Sequence, residues 1–205
     1  MLSVAALGRS ESPVLRIGTR IGDEVWVTGM LGGSGAAVVL LEEGGALPED
    51  LREAFARPRP RIKEALWLAT RVPLHGLIDL SDGLAGDAGH LAAASQLSLV
   101  LSAEAIPYHP ALTAESSLFH GMELDDSGIP LHFGLEGGED YELCFTAPPG
   151  VTDEWVGEFL ESFKIPLTKV GRAIEGTGVF LESADGGITP LKRRGFDHFS
   201  GEGEG

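Results

Sequence analysis

Three short segments of this chain bring together residue types able to do chemistry. In Ile78-Asp79-Leu80-Ser81-Asp82-Gly83-Leu84 an apolar run ends on a carboxylate, and a second carboxylate follows three residues later at the mouth of a helix-like pattern. Acids at the carboxyl end of a strand project into the crevice where α/β sheets bind ligands. A hard cation such as Mg²⁺ takes oxygen ligands and keeps waters and phosphate oxygens in its shell, so a pair of carboxylates is the protein share expected for it. Main-chain N–H groups at the following helix start are predicted to meet phosphate. An ordinary helix start, with Asp82 as N-cap and Ser81 in the turn, accounts for the same residues. Asp79 weighs against that reading, because a carboxylate ending a buried apolar strand is costly without a partner.

The second segment, Glu136-Gly137-Gly138-Glu139-Asp140-Tyr141-Glu142-Leu143, sets four acids within seven residues around a glycine pair. Glycines let a loop approach a ligand closely, and clustered carboxylates repel one another until a cation or a donor-rich ligand neutralises them. A solvated acidic turn is the alternative. The third segment, Thr28-Gly29-Met30-Leu31-Gly32-Gly33-Ser34-Gly35, joins a strand pattern to a helix pattern; it has neither a Gly-Lys-Ser/Thr ending nor a dinucleotide fingerprint, and tight packing explains it equally well. Arg16, in Val14-Leu15-Arg16-Ile17-Gly18, is a cation able to reach a phosphate, or simply an exposed arginine. The six histidines show no His-Glu-x-x-His spacing and no serine sits in a Gly-x-Ser-x-Gly elbow, which disfavours a zinc enzyme and a serine hydrolase.

The elements that must position these residues follow from period and punctuation. Asp23–Gly29 alternates and ends in glycine, as a strand entering a turn, and Gly32–Leu41 follows as a helix. Leu51–Phe55 and Ile62–Val72 read as helices, the second after the Pro58-Arg59-Pro60-Arg61 break. Gly76–Leu80 reads as a buried strand leading into an amphipathic helix over Leu84–Ala94, and Leu97–Leu101 as another strand. Pro107–Leu131 is irregular with short helical pieces. Tyr141–Thr146, Leu167–Val170 and Gly178–Leu181 are predicted strands, with a helix over Asp153–Phe163. Leu2–Leu7 reads as a short strand, and Phe196-Asp197-His198-Phe199 as an aromatic segment before a glycine-rich end. This order predicts an α/β fold, a sheet covered by helices.

Composition narrows the function classes. Lys and Arg number 15 against 31 Asp and Glu, a net charge of −16, so no basic field draws in nucleic acid or anionic lipid. A polyanionic partner needs a metal between itself and such a surface. Cys144 is the single cysteine, set in the apolar Leu143-Cys144-Phe145, which excludes an internal disulfide and predicts a buried strand residue. No run reaches the roughly 18 apolar residues of a membrane helix, and the first residues lack the charged region of a signal peptide, so a cytoplasmic location is expected.

Taken together, the segments resemble one family. Arg16, Gly22-Asp23, Val25-Trp26-Val27-Thr28-Gly29, Leu31-Gly32 with Ser34, Arg57-Pro58-Arg59-Pro60-Arg61, Ile78 to Leu84, Gly137 to Leu143 and Gly195-Phe196-Asp197-His198-Phe199 occur in the order seen in thiamine-monophosphate kinases. The resemblance covers nearly the whole chain, and it places the family within the wider group of aminoimidazole ribonucleotide synthetase. It implies a three-layer α/β/α domain over residues 11–200, with 1–10 a remnant of the last strand of a preceding N-terminal domain and 201–205 a disordered tail.

What the resemblance implies for function is ATP-dependent phosphorylation of thiamine monophosphate to thiamine diphosphate, with this chain supplying the C-terminal half of the site. Asp79 and Asp82 correspond to Mg²⁺ ligands, Arg16 and Ser81 to ATP contacts, Glu139 to a substrate contact and Phe196 to an aromatic neighbour of the substrate. The family's N-terminal metal and nucleotide segments have no counterpart in this sequence. The expected partners are thiamine monophosphate and ATP, with a homodimer or a separate N-terminal-domain protein as a macromolecular partner. A rival reading is a non-catalytic nucleotide- or thiamine-binding module, and a further one is another ATP-dependent member of the same wider group.

Overall fold

The first strand, β1 (Glu24–Thr28), turns Val25 and Val27 to one face and Trp26 to the other, all buried, so both faces of the sheet are covered. The computed structural model describes residues 4, 5, 7–114, 131–150 and 153–191. The other strands are β2 (Gly76–Asp79), β3 (Ser98–Ser102), β4 (Leu143–Ala147), β5 (Leu167–Ile174), β6 (Gly178–Glu182) and β7 (Ile188–Pro190). They form one seven-stranded sheet in the order β2-β4-β1-β5-β3-β6-β7. Neighbours are antiparallel except β3 and β6, so the sheet is mixed.

The helices are α1 (Gly33–Glu42), α2 (Glu49–Ala56), α3 (Ile62–Arg71), α4 (Leu84–Ser95), α5 (Pro110–Ala114), α6 (Leu131–Glu136) and α7 (Asp153–Phe163). Leu84, Ala88 and Leu91 of α4 pack on one face of the sheet, against Val25, Val27, Ile78, Leu99 and Cys144. Leu68 of α3 and Phe159 of α7 cover the other face, against Trp26, Phe145 and Leu167. The three-layer α/β/α arrangement is therefore present. Trp67 of α3 meets Phe159 and Trp155 of α7 edge-on, at centroid distances of 5.5 Å and 6.3 Å, which locks the outer helix layer. A further cluster joins α1, α2 and α5 to Phe133 of α6 beside the sheet end.

Several expectations are corrected. Gly76–Asp79 is the edge strand of the sheet, paired only with β4; Gly76 and Ile78 are buried as expected, but Asp79 at its end is exposed. Solvent, not a partner, then accommodates the carboxylate at its end. Strand β5 continues to Ile174, beyond the expected end at Val170. The register slips between Val25 and Trp26, which face Gly171 and Lys169, so Val170 is an extra residue. A bulge of this kind inverts the alternation on which the sequence reading relied. Ile188–Pro190 adds a short outer strand with every residue exposed, too short and too polar in pattern for periodicity to reveal. Among the described residues of the expected first strand, Val4 and Leu7 are exposed and none belongs to a strand. The chain around Leu15 runs instead beside β2, where Leu77 N–H donates to the Leu15 carbonyl at 3.1 Å. Cys144 is fully buried in β4 as expected, and burial raises its thiol pKa far from reactivity.

Candidate functional site

At one end of the sheet β1 and β2 finish, β4 begins, and α1 and α4 start. Here the three segments singled out in the sequence converge. The β2–β4 ladder runs on past its formal end: Leu80 N–H donates to the Glu142 carbonyl, Tyr141 N–H to the Leu80 carbonyl and Glu139 N–H to the Ser81 carbonyl, each at 2.8 Å. The glycines make the contact close enough. A Cβ on Gly35 would lie 2.7 Å from Gly137 Cα, and one on Gly83 would lie 2.6 Å from the Leu135 carbonyl oxygen. Either substitution forces the helix starts and the acidic loop apart.

The acids of this end divide into distinct roles. Glu142 is buried and held by Arg61, which donates Nε–H to Oε2 at 2.8 Å and a second N–H to Oε1. Thr28 Oγ1 donates to the same Oε2 at 2.6 Å and accepts the Leu143 N–H at 2.9 Å. Asp140 accepts the Gly32 N–H at 2.9 Å and so caps the start of α1. Burial pushes the Asp140 carboxyl up to about 7, against the pull of the Gly32 and Ser34 main-chain N–H groups, and the Glu142 charge raises it further. Glu136 pairs with His132 at 3.1 Å on the surface. Glu139 alone among the acids of this segment is exposed and makes no side-chain hydrogen bond or ion pair among the described residues.

The turn Ser81-Asp82-Gly83 is fixed by a residue that pattern reading overlooked. Asp87, buried in the first turn of α4, accepts the N–H of Ser81 at 2.8 Å and of Asp82 at 3.0 Å. Its pKa is raised by burial and pulled back by those two bonds. Gly83, not Asp82, is the N-cap, and no side chain caps α4 from that position. Asp140 thus caps α1, while Asp87 fixes the turn that leads into α4. The N–H groups of Gly32, Ser81 and Asp82 are paired inside the protein. The signal for Asp87 was an acid in the first turn of a predicted helix.

Of the predicted site residues, Asp79, Ser81, Asp82 and Glu139 come together at this end of the sheet. Asp79 and Asp82 are both exposed, and Ser81 Oγ donates to Asp82 at 3.3 Å. Arg16 is exposed beside β2, next to the residue whose carbonyl bonds to Leu77. Phe196 lies outside the described residues. Asp79, with no side-chain partner among the described residues, and Asp82 offer hard oxygen donors that fit Mg²⁺, an ion whose remaining positions go to water and phosphate oxygens. Among the described residues no group of three or more His, Cys, Asp or Glu is arranged to hold a metal. No helix among them is long and apolar enough to cross a membrane.

Comparison with known proteins places this geometry in context. Residues 20–183 match the family model described as AIR synthase related protein, C-terminal domain. The chain is 35% identical over 193 residues to thiamine-monophosphate kinase of Haemophilus influenzae, covering 91% of this chain and 55% of that protein. It is 33% identical over 205 residues to the enzyme of that name from Aquifex aeolicus, covering 97% and 58%. The solved structure of AaThiL complexed with AMPPCP and TMP superposes with a TM-score of 0.68 at 33% identity, covering 91% of this chain and 54% of that one. The chain spans about half the length of the curated relatives it matches.

Proposed function

The chain belongs to the family of AIR synthase related proteins, C-terminal domain, and from that membership we propose that it forms one half of an ATP-dependent kinase site acting on thiamine monophosphate. The product of that reaction is thiamine diphosphate, and the expected setting is the cytoplasm. The observation that carries the reading is the convergence of Asp79, Ser81, Asp82 and Glu139 at one sheet end, in a chain similar along its length to thiamine-monophosphate kinases.

Phosphoryl transfer asks a protein mainly for positioning and for neutralisation of charge on the transferring group. In this reading Asp79 and Asp82 would hold Mg²⁺, and the chemistry the ion would supply is neutralisation of phosphate charge. With a net charge of −16, the protein has reason to meet a polyanionic nucleotide through a cation. Arg16 and the Ser81 hydroxyl contact the ATP phosphates. Glu139, free of internal partners among the described residues, faces the cationic ring system of the thiamine moiety, which it attracts by charge. Phe196 is assigned as an aromatic neighbour of the same rings from the family resemblance.

A second reading, a nucleotide- or thiamine-binding module without turnover, is favoured by the small donor set, Asp79 and Asp82, in the described residues. Calorimetric titration with thiamine monophosphate and with a Mg²⁺ complex of a non-hydrolysable ATP analogue, followed by a turnover assay, separates the two. The measurements are made on the chain alone and after addition of the N-terminal half of a relative. Turnover on addition supports the kinase half-site; tight binding without turnover supports the module; no binding in either state overturns both.

A further inference from the structure

Glu142 stands apart from the other acids of its segment because its charge is neutralised inside the protein. Its side chain is 5% exposed and that of Arg61 14%. The planar guanidinium engages both carboxylate oxygens, a fork geometry that fixes direction as well as distance. Thr28 adds a third donor. The cluster ties three elements together: Arg61 precedes α3, Thr28 ends β1, and Glu142 leads into β4. A buried ion pair of this kind contributes little net stability relative to an apolar replacement, so its presence calls for another reason.

The reason lies three residues upstream. Glu139 and Tyr141 have φ of 57° and 50°, and Gly138 has φ of 62°. Left-handed backbone at a non-glycine residue is strained and persists only where the surroundings over-determine it. The segment is pinned on its Ser81 side by the Glu139 and Tyr141 N–H bonds, and on its α1 side by Asp140 on Gly32. The Leu80 N–H holds the Glu142 carbonyl, and a further anchor is the Glu142 side chain. We propose that the Arg61–Glu142 pair is a positioning device, holding Glu139 and Tyr141 in their left-handed conformation and so setting the direction in which Glu139 presents its carboxylate to bound ligand. The ligand half of this statement rests on the assignment of Glu139 to the thiamine moiety; the backbone half does not.

Amide hydrogen exchange and calorimetry on the wild-type chain, Glu142→Gln and Arg61→Lys test both halves. Glu142→Gln keeps the shape and removes the charge, and Arg61→Lys keeps the charge and removes the fork, so failure of one variant to fold leaves the other to decide. The expected result is exchange about tenfold faster at the Glu139 and Tyr141 amides, with β1 and β5 amides unchanged. Thiamine monophosphate affinity falls about tenfold while affinity for the Mg²⁺ complex of the ATP analogue holds, a split that a general loss of stability does not produce. Unchanged exchange at Glu139 and Tyr141, or equal acceleration across the sheet, overturns the proposal, as does equal loss of both ligands. If the wild-type chain binds no thiamine monophosphate, alone or after addition of the N-terminal half of a relative, the functional reading fails while the exchange data still decide the clamp.

Discussion

The Asp87 carboxylate accepts the Ser81 main-chain N–H at 2.8 Å, so a buried residue of α4 holds the turn that carries the acid Asp82 and follows the exposed Asp79. Removing it leaves two N–H groups without their acceptor at a partly buried turn, at a cost of about 1–3 kcal/mol for an unsatisfied group. Asp87→Ala is therefore expected to lower the melting temperature. It is also expected to weaken binding of the Mg²⁺–nucleotide complex by about 10–100-fold, as loss of a ligand-orienting group does. Calorimetry beside thermal denaturation checks both; unaltered nucleotide affinity removes Asp87 from any positioning role.

Asp79 is exposed at the end of an edge strand, so its replacement tests the metal assignment without disturbing the fold. Asp79→Asn is expected to weaken Mg²⁺-dependent nucleotide binding by about tenfold or more. Stability stays within about 0.5 kcal/mol of wild type. Titration of the ATP analogue at several Mg²⁺ concentrations reads this directly, and affinity equal to wild type rules out the assignment.

Glu139→Gln makes the complementary test on the substrate side. The exposed carboxylate holds no internal partner among the described residues, so stability is expected to stay within about 0.5 kcal/mol of wild type. Affinity for thiamine monophosphate is expected to fall about tenfold, equivalent to ~1.4 kcal/mol, with nucleotide affinity unchanged. Competition calorimetry with thiamine monophosphate and a neutral analogue tests whether charge is the cause.

Asp140 gives the fold a pH dependence of defined sign. Its ordinary value of 3.8 is raised to about 7 by burial, so the folded state favours the protonated form. The stability this contributes is fully present below 3.8 and is lost as pH rises through about 7. Asp140→Asn keeps an acceptor for the Gly32 N–H and cannot ionise. The variant is expected to gain melting temperature relative to wild type as pH climbs across that window, and parallel profiles would show that Asp140 does not titrate there.

Gly29 has φ of 64°, and a Cβ there would overlap the carboxylate of Glu142. Gly29→Ala combines left-handed strain with displacement of the buried ion pair, and is expected to destabilise the protein by roughly 1–3 kcal/mol. Chemical denaturation measures the difference; a neutral effect means that the Glu142 carboxylate relaxes without loss.

Much of this protein was determined by sequence alone. The alternation of Val25, Trp26 and Val27, the helix period over Asp153–Phe163 and the apolar setting of Cys144 report local contact with a core, which period encodes directly. The site residues Asp79, Ser81 and Asp82 were legible because they sit at a strand-to-helix joint, where sheet proteins present groups to ligands.

Only the tertiary structure decided how those acids divide their work. The sequence offers four carboxylates within seven residues without distinguishing them. Arg61, 81 positions from Glu142, and the Gly32 N–H, 108 positions from Asp140, select two for internal roles, while Glu136 pairs with its helix neighbour His132 at the surface and Glu139 is left exposed. The edge position of β2 and the bulge that carries β5 past Val170 were likewise settled by pairing between distant strands. The physical reason is common to all of these. Local pattern records whether a residue meets core or solvent, whereas the partner of a charge and the neighbour of a strand are chosen by chain segments far away in sequence, and that choice exists only once the sheet has closed around them.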